Sequence, residues 1–349
     1  MQRRCYCSII AVMKAAVKEN NQFAIKNLPR PMLDEYGETG AIVKVLGCGL
    51  CGSDIIKLYS ENCKNGAVLG HEVYGSIVEI RSNTAFEAGD RVVLGHHIPC
   101  FVCSYCRGGS YSMCRHFKNT NIFPGGFAEY IYVSEEHLNN TVFYANLDLS
   151  PMENSFTEPL ACCIRAVKRA ALPDNSKTLI MGLGSIGILA GQAVKAFGNQ
   201  AFGADILSSR VVFSEKYGFK KSFLIENEEE TLKEMKKTAS EGFDAVFLTA
   251  GAAKAASFAV KAARDGALII VFSSVKNDAL FNNNDIYSRE LTIRGSYSSS
   301  PADLEDAVML LEKGSVKTSG LSSVYQLEDI NKAVKDTLSN KIMKAYIKI

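Results

Sequence analysis

The chain has 349 residues, more than one ordinary domain, and with 47% hydrophobic and 22% charged residues it has the composition of a globular protein with two buried cores. A net charge of +2, with 39 basic residues dispersed along the chain, gives no electrostatic footprint for nucleic acid or a membrane surface and leaves a small molecule as the expected partner. No window approaches the roughly 20 consecutive apolar residues of a membrane span.

Residues 1–12 faintly imitate a signal peptide, with two arginines before a short apolar run. Lys14 interrupts that run and no small-residue cleavage site follows, so the segment reads as an N-terminal extension or an upstream start. The folded chain is expected to begin near Met13. From 13 to 160 the pattern is short β runs and turns: 41–46, 75–80, 91–94 and 128–133 are rich in β-branched residues and punctuated by Gly, Asn and Asp. From 161 to 295 strands and helices alternate. The predicted strands are 178–181, 201–204, 222–225, 245–249, 267–272 and 291–293, with a helix at 185–197, which argues for a doubly wound parallel sheet and an α/β fold class. The tail, 296–349, adds a helix at 301–313 and a strand at 345–349 and is expected to return to the first domain.

Three groups of residues carry chemistry. The first is Gly70-His71-Glu72, with Cys51 nineteen residues before Gly70. A histidine in apolar surroundings is usually a hydrogen-bonded core residue, but thiolate, imidazole and carboxylate together are the ligand types of a catalytic zinc with one position open. Cys48 and Cys51 form a second Cys-x2-Cys, readable as a redox pair or as a small buried thiol beside a ligand. The second group is Cys100, Cys103, Cys106 and Cys114. Of eleven cysteines these four are clustered, and in a cytoplasmic protein clustering favours a metal over disulfides. Four sulfurs close a coordination shell, so this zinc would be structural; an iron–sulfur cluster or two disulfides are the alternatives.

The third group is the glycine fingerprint Gly182-x-Gly184-x-x-Gly187, with Ser185 and Ile186 inside it, directly after a predicted strand and opening a predicted helix. Its backbone suits a pyrophosphate at a helix N-terminus. Asp205 ends the next strand, where a carboxylate meets the adenosine ribose, and it would repel a 2'-phosphate; NAD is expected over NADP. Arg210 either contacts the ribose or adenine or is a solvated helix residue.

With these residues in place, the sequence from Met13 to Ile349 resembles the zinc-dependent medium-chain dehydrogenases, especially the sorbitol and threonine dehydrogenase branch. The resemblance also rests on Cys-Gly-Ser-Asp at 51–54, Gly-Gly-Phe-Ala-Glu-Tyr at 125–130 and Glu-Pro-Leu-Ala at 158–161. It implies a mostly β GroES-like catalytic domain made from both chain ends, a Rossmann cofactor domain between them, an active-site cleft at their junction, and a homodimer or homotetramer. By position it implies that Cys51, His71 and Glu72 bind the catalytic zinc, with Glu158 as an additional or alternating ligand. Ser53 would hydrogen-bond the substrate oxygen and pass its proton outward, and Asp54 would orient the ligand histidine. Two positions depart from the pattern. Ile56 stands where the branch usually has a histidine, and Arg81 where the signature has a small residue. The expected activity is NAD-dependent interconversion of a secondary alcohol, a polyol or sugar-derived alcohol, and its ketone. The alternatives are a primary-alcohol or aldehyde dehydrogenase of the same superfamily and a non-catalytic NAD- and zinc-binding protein. Substrate choice is expected to lie in loops 55–65, 115–125 and 295–300.

Overall fold

A computed structural model of the chain describes residues 11–36, 39–273 and 281–349. Residues 1–10 of the expected extension therefore lie outside the described residues. The chain forms two compact units, one of residues 1–98, 115–155 and 322–349, the other of residues 99–114 and 156–321.

In the first unit β1 (Val12–Glu19) and β2 (Gln22–Pro29) form an antiparallel ribbon. There follow β3 (Gly40–Leu50), β4 (Glu72–Arg81), β5 (Arg91–Leu94), β6 (Tyr130–Val133) and β7 (Val142–Tyr144). β3 and β4 contain the expected runs 41–46 and 75–80 and extend them, β5 coincides with 91–94, β6 keeps the last four residues of 128–133, and β7 was not among the expected runs. β3 is buried along nearly its whole length, because both of its faces are covered and alternation is lost. The strand β4 runs on through Arg81, which pairs with Asp34 and, at 3.5 Å, with Glu79, so the unexpected arginine is a surface ion-pair residue.

The second unit holds a parallel sheet of β8 (Lys177–Met181), β9 (Gln200–Asp205), β10 (Lys221–Leu224), β11 (Phe243–Leu248), β12 (Ala263–Val271) and β13 (Thr292–Gly295). Among the described residues its order is β10-β9-β8-β11-β12-β13. The chain winds outward from β8 to one edge, then returns to the other side through β11, so the direction of winding reverses between β8 and β11. Ligands of such sheets bind in the crevice beyond the carboxyl ends of the strands at that reversal. The helix Ser185–Ala196 after β8 is buried from Gly187 to Val194; small residues let it lie close to the sheet. The strand boundaries shift from expectation by up to two residues, and by four at the start of β12. β12 starts at Ala263, because Arg264 is held by Asp244 at 2.7 Å and keeps a polar stretch in the strand that carries no β signature.

The chain then returns to the first unit through β14 (Ser323–Gln326) and β15 (Ala345–Lys348). Among the described residues the sheet there has the order β14-β15-β3-β4-β5-β7, with β6 also on β3. Register decides what meets at its end. Gly49 of β3 pairs with Glu72 of β4, and Leu50 pairs with Ala345 of β15. Cys51, His71, Glu72 and Lys344 are thereby gathered at one end of three neighbouring strands.

Candidate active site and metal centres

Cys51 caps the helix Gly52–Leu58. Two residues into that helix the buried Asp54 turns its carboxylate back: Oδ2 accepts the Cys51 N–H at 3.0 Å and Oδ1 accepts the Gly70 N–H at 3.1 Å. The same Oδ1 lies 3.2 Å from His71 Nδ1. Burial alone would raise the pKa of Asp54; the His71 ring and the two backbone donors outweigh it and hold the carboxyl below its usual value. Held at Nδ1, the imidazole keeps Nε2 as its ligand atom. Cys51, His71 and Glu72 then offer one donor atom each within 4.8 Å of one another, a set that fits a zinc ion. Ser53 lies half-buried on the same helix, next to Cys51.

Glu72 is fully buried and its carboxylate meets the buried Lys344, with Nζ 2.8 Å from Oε1 and 2.6 Å from Oε2. Burial disfavours the ammonium, but Glu72 and the Cys51 sulfur outweigh it and raise the pKa of Lys344. The space for this carboxylate exists because residue 49 lacks a side chain: a Cβ there would stand 1.9 Å from Glu72 Oε2. Sequence reasoning missed Lys344, since a lysine before an apolar strand looks like any edge residue. Cys48 is completely buried, and burial first, then Asp54 and Glu72, pushes its thiol well up, as befits a packed thiol and not a redox pair.

A second omission is a row of rings beside His71. His96 lies 4.6 Å from His71 and 4.0 Å from His97, centroid to centroid. His97 Nδ1 donates to Thr120 O at 2.5 Å, and burial lowers its pKa to about 4; burial also takes His96 well below the ordinary value. Burial thus favours the uncharged form of both rings. Adjacent histidines have no ligand spacing, so no role for them was legible beforehand. Ile56 is 49% exposed on the helix that carries Ser53.

In the second unit the four cysteines of the loop converge as expected. Cys103 Sγ lies 3.5 Å from Cys106 Sγ, and Cys100 Sγ lies 4.0 Å from it, with all four sulfurs within 4.8 Å. Four sulfurs about 2.3 Å from one zinc would be roughly 3.8 Å apart, whereas a disulfide needs about 2.05 Å. Among the described residues the four are not joined in disulfides, and the spacing suits one ion.

The glycine turn follows β8. Gly182 has φ +98°, a conformation that L side chains rarely adopt, and a Cβ on Gly187 would stand 1.9 Å from Gly182 O. Gly184 caps the helix that begins with Ser185 and Ile186, so the first-turn N–H groups point out of the helix at the crevice. Thr249, after β11, donates Oγ1 to Gly182 O at 2.7 Å and to Met181 O at 2.9 Å, fastening the turn. Asp205 is buried; Oδ2 accepts the Leu183 N–H at 2.7 Å and Oδ1 the Leu207 N–H at 2.9 Å. The carboxylate thus locks the turn from the neighbouring strand. Arg210 NH1 lies 3.7 Å from it, which makes Arg210 an Asp205 partner rather than a purely solvated residue. Glu158 is placed at the start of the helix Thr157–Ala170, where Cys162 Sγ lies 3.7 Å from Oε1.

Residues 37–141 match the family of alcohol dehydrogenase GroES-like domains, and residues 185–313 that of zinc-binding dehydrogenases. The chain is 31% identical to the sorbitol dehydrogenase of Bacillus subtilis over 96% of its own length and 97% of that protein. With the sorbitol dehydrogenase of Halalkalibacterium halodurans the identity is 30%, over 96% and 99%. Among solved structures, an oxidoreductase/dehydrogenase of unknown specificity from Escherichia coli superposes with a TM-score of 0.86 at 25% identity, covering 97% of this chain and 99% of that one.

Proposed function

This chain belongs to the zinc-dependent medium-chain dehydrogenases, in their sorbitol dehydrogenase-like branch, and from that premise we propose the residues with which it interconverts a secondary alcohol, of polyol or sugar-derived type, and a ketone. The observation that carries the reading is the convergence of Cys51, His71 and Glu72 on one point, with Asp54 fixing the ring of His71.

When bound, a zinc ion would supply Lewis-acid polarisation of the carbinol oxygen, and NAD would accept the hydride. Cys51 and His71 hold the metal. The third protein ligand is a carboxylate, either Glu72, which otherwise rests on Lys344, or Glu158. The Ser53 hydroxyl accepts the carbinol proton and passes it outward. Asp54 keeps the imidazole in the tautomer that the metal requires. At the other end of the reaction the turn of Gly182, Gly184, Ser185, Ile186 and Gly187 receives the pyrophosphate, and Asp205 faces the adenosine ribose, which favours NAD over NADP. Arg210, paired with Asp205, steadies that carboxylate. Cys100, Cys103, Cys106 and Cys114 hold a second, structural zinc. We read residues 13–160 with 296–349 as the catalytic domain and residues 161–295 as the cofactor domain. The enzyme is further read as a cytoplasmic homodimer or homotetramer without nucleic-acid or membrane partners, in keeping with its near-neutral charge; no helix among the described residues is long and apolar enough to cross a membrane.

Metal analysis of Cys51→Ser tests the ligand assignment. The native protein is expected to hold two zinc ions per chain and the variant one, with turnover lost by about three orders of magnitude. Full zinc content with near-native turnover would overturn the assignment. The non-catalytic alternative predicts uptake of zinc and NADH with no oxidation of any alcohol.

A further inference from the structure

Within the second unit one buried cation stands between the cysteine loop and the glycine turn. Arg165 lies in the middle of the helix Thr157–Ala170 and is 5% exposed. Its NH2 donates to Gly109 O at 3.0 Å, and the Gly109 N–H donates in turn to the carbonyl of Cys106, a member of the four-cysteine cluster, also at 3.0 Å. Little else satisfies the guanidinium: NH1 comes only within 3.7 Å of Asp303 Oδ2, and Nε is buried without a hydrogen-bond partner. If the loop shifts, a buried charged donor loses its carbonyl, which is destabilising enough to make the helix follow. The loop is also under local strain, since Phe101 holds φ +60°, a conformation uncommon for any residue but glycine. Metal bound by the four thiols is what would keep it in place.

The opposite side of the same helix grips the cofactor turn. Cys163 precedes Arg165 by two residues, about 200° around the helix, and is fully buried. Its Sγ donates to Ile186 O at 3.7 Å, in the first turn of the helix Ser185–Ala196, whose N–H groups suit the pyrophosphate. A second connection runs through the helix Pro301–Glu312. Lys168 holds its Asp303 at 2.8 Å, and the chain beyond it is clasped to the cofactor helix: the Lys317 N–H donates to Gln192 Oε1 at 2.8 Å, and Gln192 Nε2 donates to Lys317 O at 3.0 Å. Three helices and the cysteine loop are thus tied into one closed circuit, with Arg165 as the tie to the loop.

We propose that Arg165 is a positioning residue for the cofactor: it sets the first turn of the helix Ser185–Ala196 from the cysteine loop, so that zinc in the loop and dinucleotide at the turn strengthen each other's binding. The inference rests on the zinc–NAD dehydrogenase reading and deepens it by giving the second zinc a part in cofactor affinity. Linkage makes the effect reciprocal, with one factor for both directions.

The test uses full-length Cys51→Ser, which is expected to hold only the loop zinc, so that release to a chelator reports on that ion alone. Saturating NADH is expected to slow release by about 5-fold or more, and removal of the ion should weaken NADH binding, followed by its fluorescence, by a similar factor. Arg165→Ala in this background should abolish both effects, and Arg165→Lys, which keeps the charge without the planar fork, should retain part of them. Arg289→Ala is the control for stability alone. Arg289 donates to Asp265 and to the carbonyls of Val260 and Ala263 in the same unit and hydrogen-bonds neither loop nor turn, so its loss should lower the thermal midpoint and leave the coupling intact. Equal release rates with and without NADH, a coupling that persists in Arg165→Ala, or one that also vanishes in Arg289→Ala would overturn the inference. Absence of coupling in a native enzyme that oxidises a secondary alcohol with NAD would remove this inference and leave the dehydrogenase reading standing. Native protein that takes up neither zinc nor NADH would remove both.

Discussion

At the scale of single residues, the ion pair of Glu72 and Lys344 lies within the proposed metal site. Both groups are buried, and removing one partner of a buried pair typically costs about 3–5 kcal/mol because the other is left uncompensated. Lys344→Met should therefore destabilise the metal-free protein by roughly that amount in urea unfolding, and zinc should restore part of the loss by giving Glu72 another cation. Unchanged metal-free stability would mean that Glu72 is protonated or hydrated instead. Asp54→Asn keeps the shape of the site but weakens the hold on His71 Nδ1; the zinc affinity of the catalytic site should fall by about 10–100-fold in competition with a chelator. Gly49→Ala drives a methyl into Glu72 Oε2 and should lower zinc content at that site while leaving the cysteine loop loaded. Cys51, His71 and Glu72 were legible in the sequence because short motifs announce them. Lys344 was not, since 272 positions separate it from Glu72 and only the register of β15 on β3 brings them together. The row of tilted rings of His71, His96 and His97 escaped for a different reason: ring contact depends on side-chain direction, which sequence spacing does not encode.

At the scale of elements, the helix Thr157–Ala170 ties the second unit together. Arg165 is buried in its middle, donates NH2 to Gly109 O of the cysteine loop at 3.0 Å, and lies 3.7 Å from Asp303 of the helix Pro301–Glu312. Lys168 reaches the same Asp303 at 2.8 Å. Cys163 Sγ contacts Ile186 O at the start of the helix Ser185–Ala196 at 3.7 Å. Arg165→Ala removes the fork that joins the cysteine loop to this helix and leaves a cavity. We expect a thermal midpoint lower by several degrees and faster release of one zinc per chain to a chelator, with Arg165→Lys, which lacks the planar fork, only partly restoring both. Zinc release at the native rate would show that the loop holds itself. The parallel strands were legible because buried strands read as apolar runs, and the helix Ser185–Ala196 because glycine and small residues introduce it. The start of the helix Thr157–Ala170 was harder to see, as the expected change of rhythm was placed at 160; Pro159 falls in its first turn, where a missing N–H costs nothing.

For the whole molecule, the α/β class and the order of the parallel sheet follow from alternating strand and helix patterns, and they put the glycine turn at the reversal between β8 and β11. The cofactor choice belongs to this scale, because Asp205 both braces the turn through Leu183 and lies where the ribose is expected. NADH should bind at least about 10-fold more tightly than NADPH, and Asp205→Ser should narrow that ratio while weakening both, since the brace is lost too. A native preference for NADPH would contradict the role given to Asp205. The most direct check on the central claim is the initial rate of NADH formation by protein of known zinc content. It should be measured on stereochemically defined polyols, their acid and phosphate counterparts, and simple primary and secondary alcohols. Zinc-dependent oxidation of one stereochemical pattern of secondary alcohol, abolished when the catalytic zinc is stripped and regained when it is restored, is the predicted result. Equal rates with and without that zinc, or oxidation confined to primary alcohols, would contradict the account.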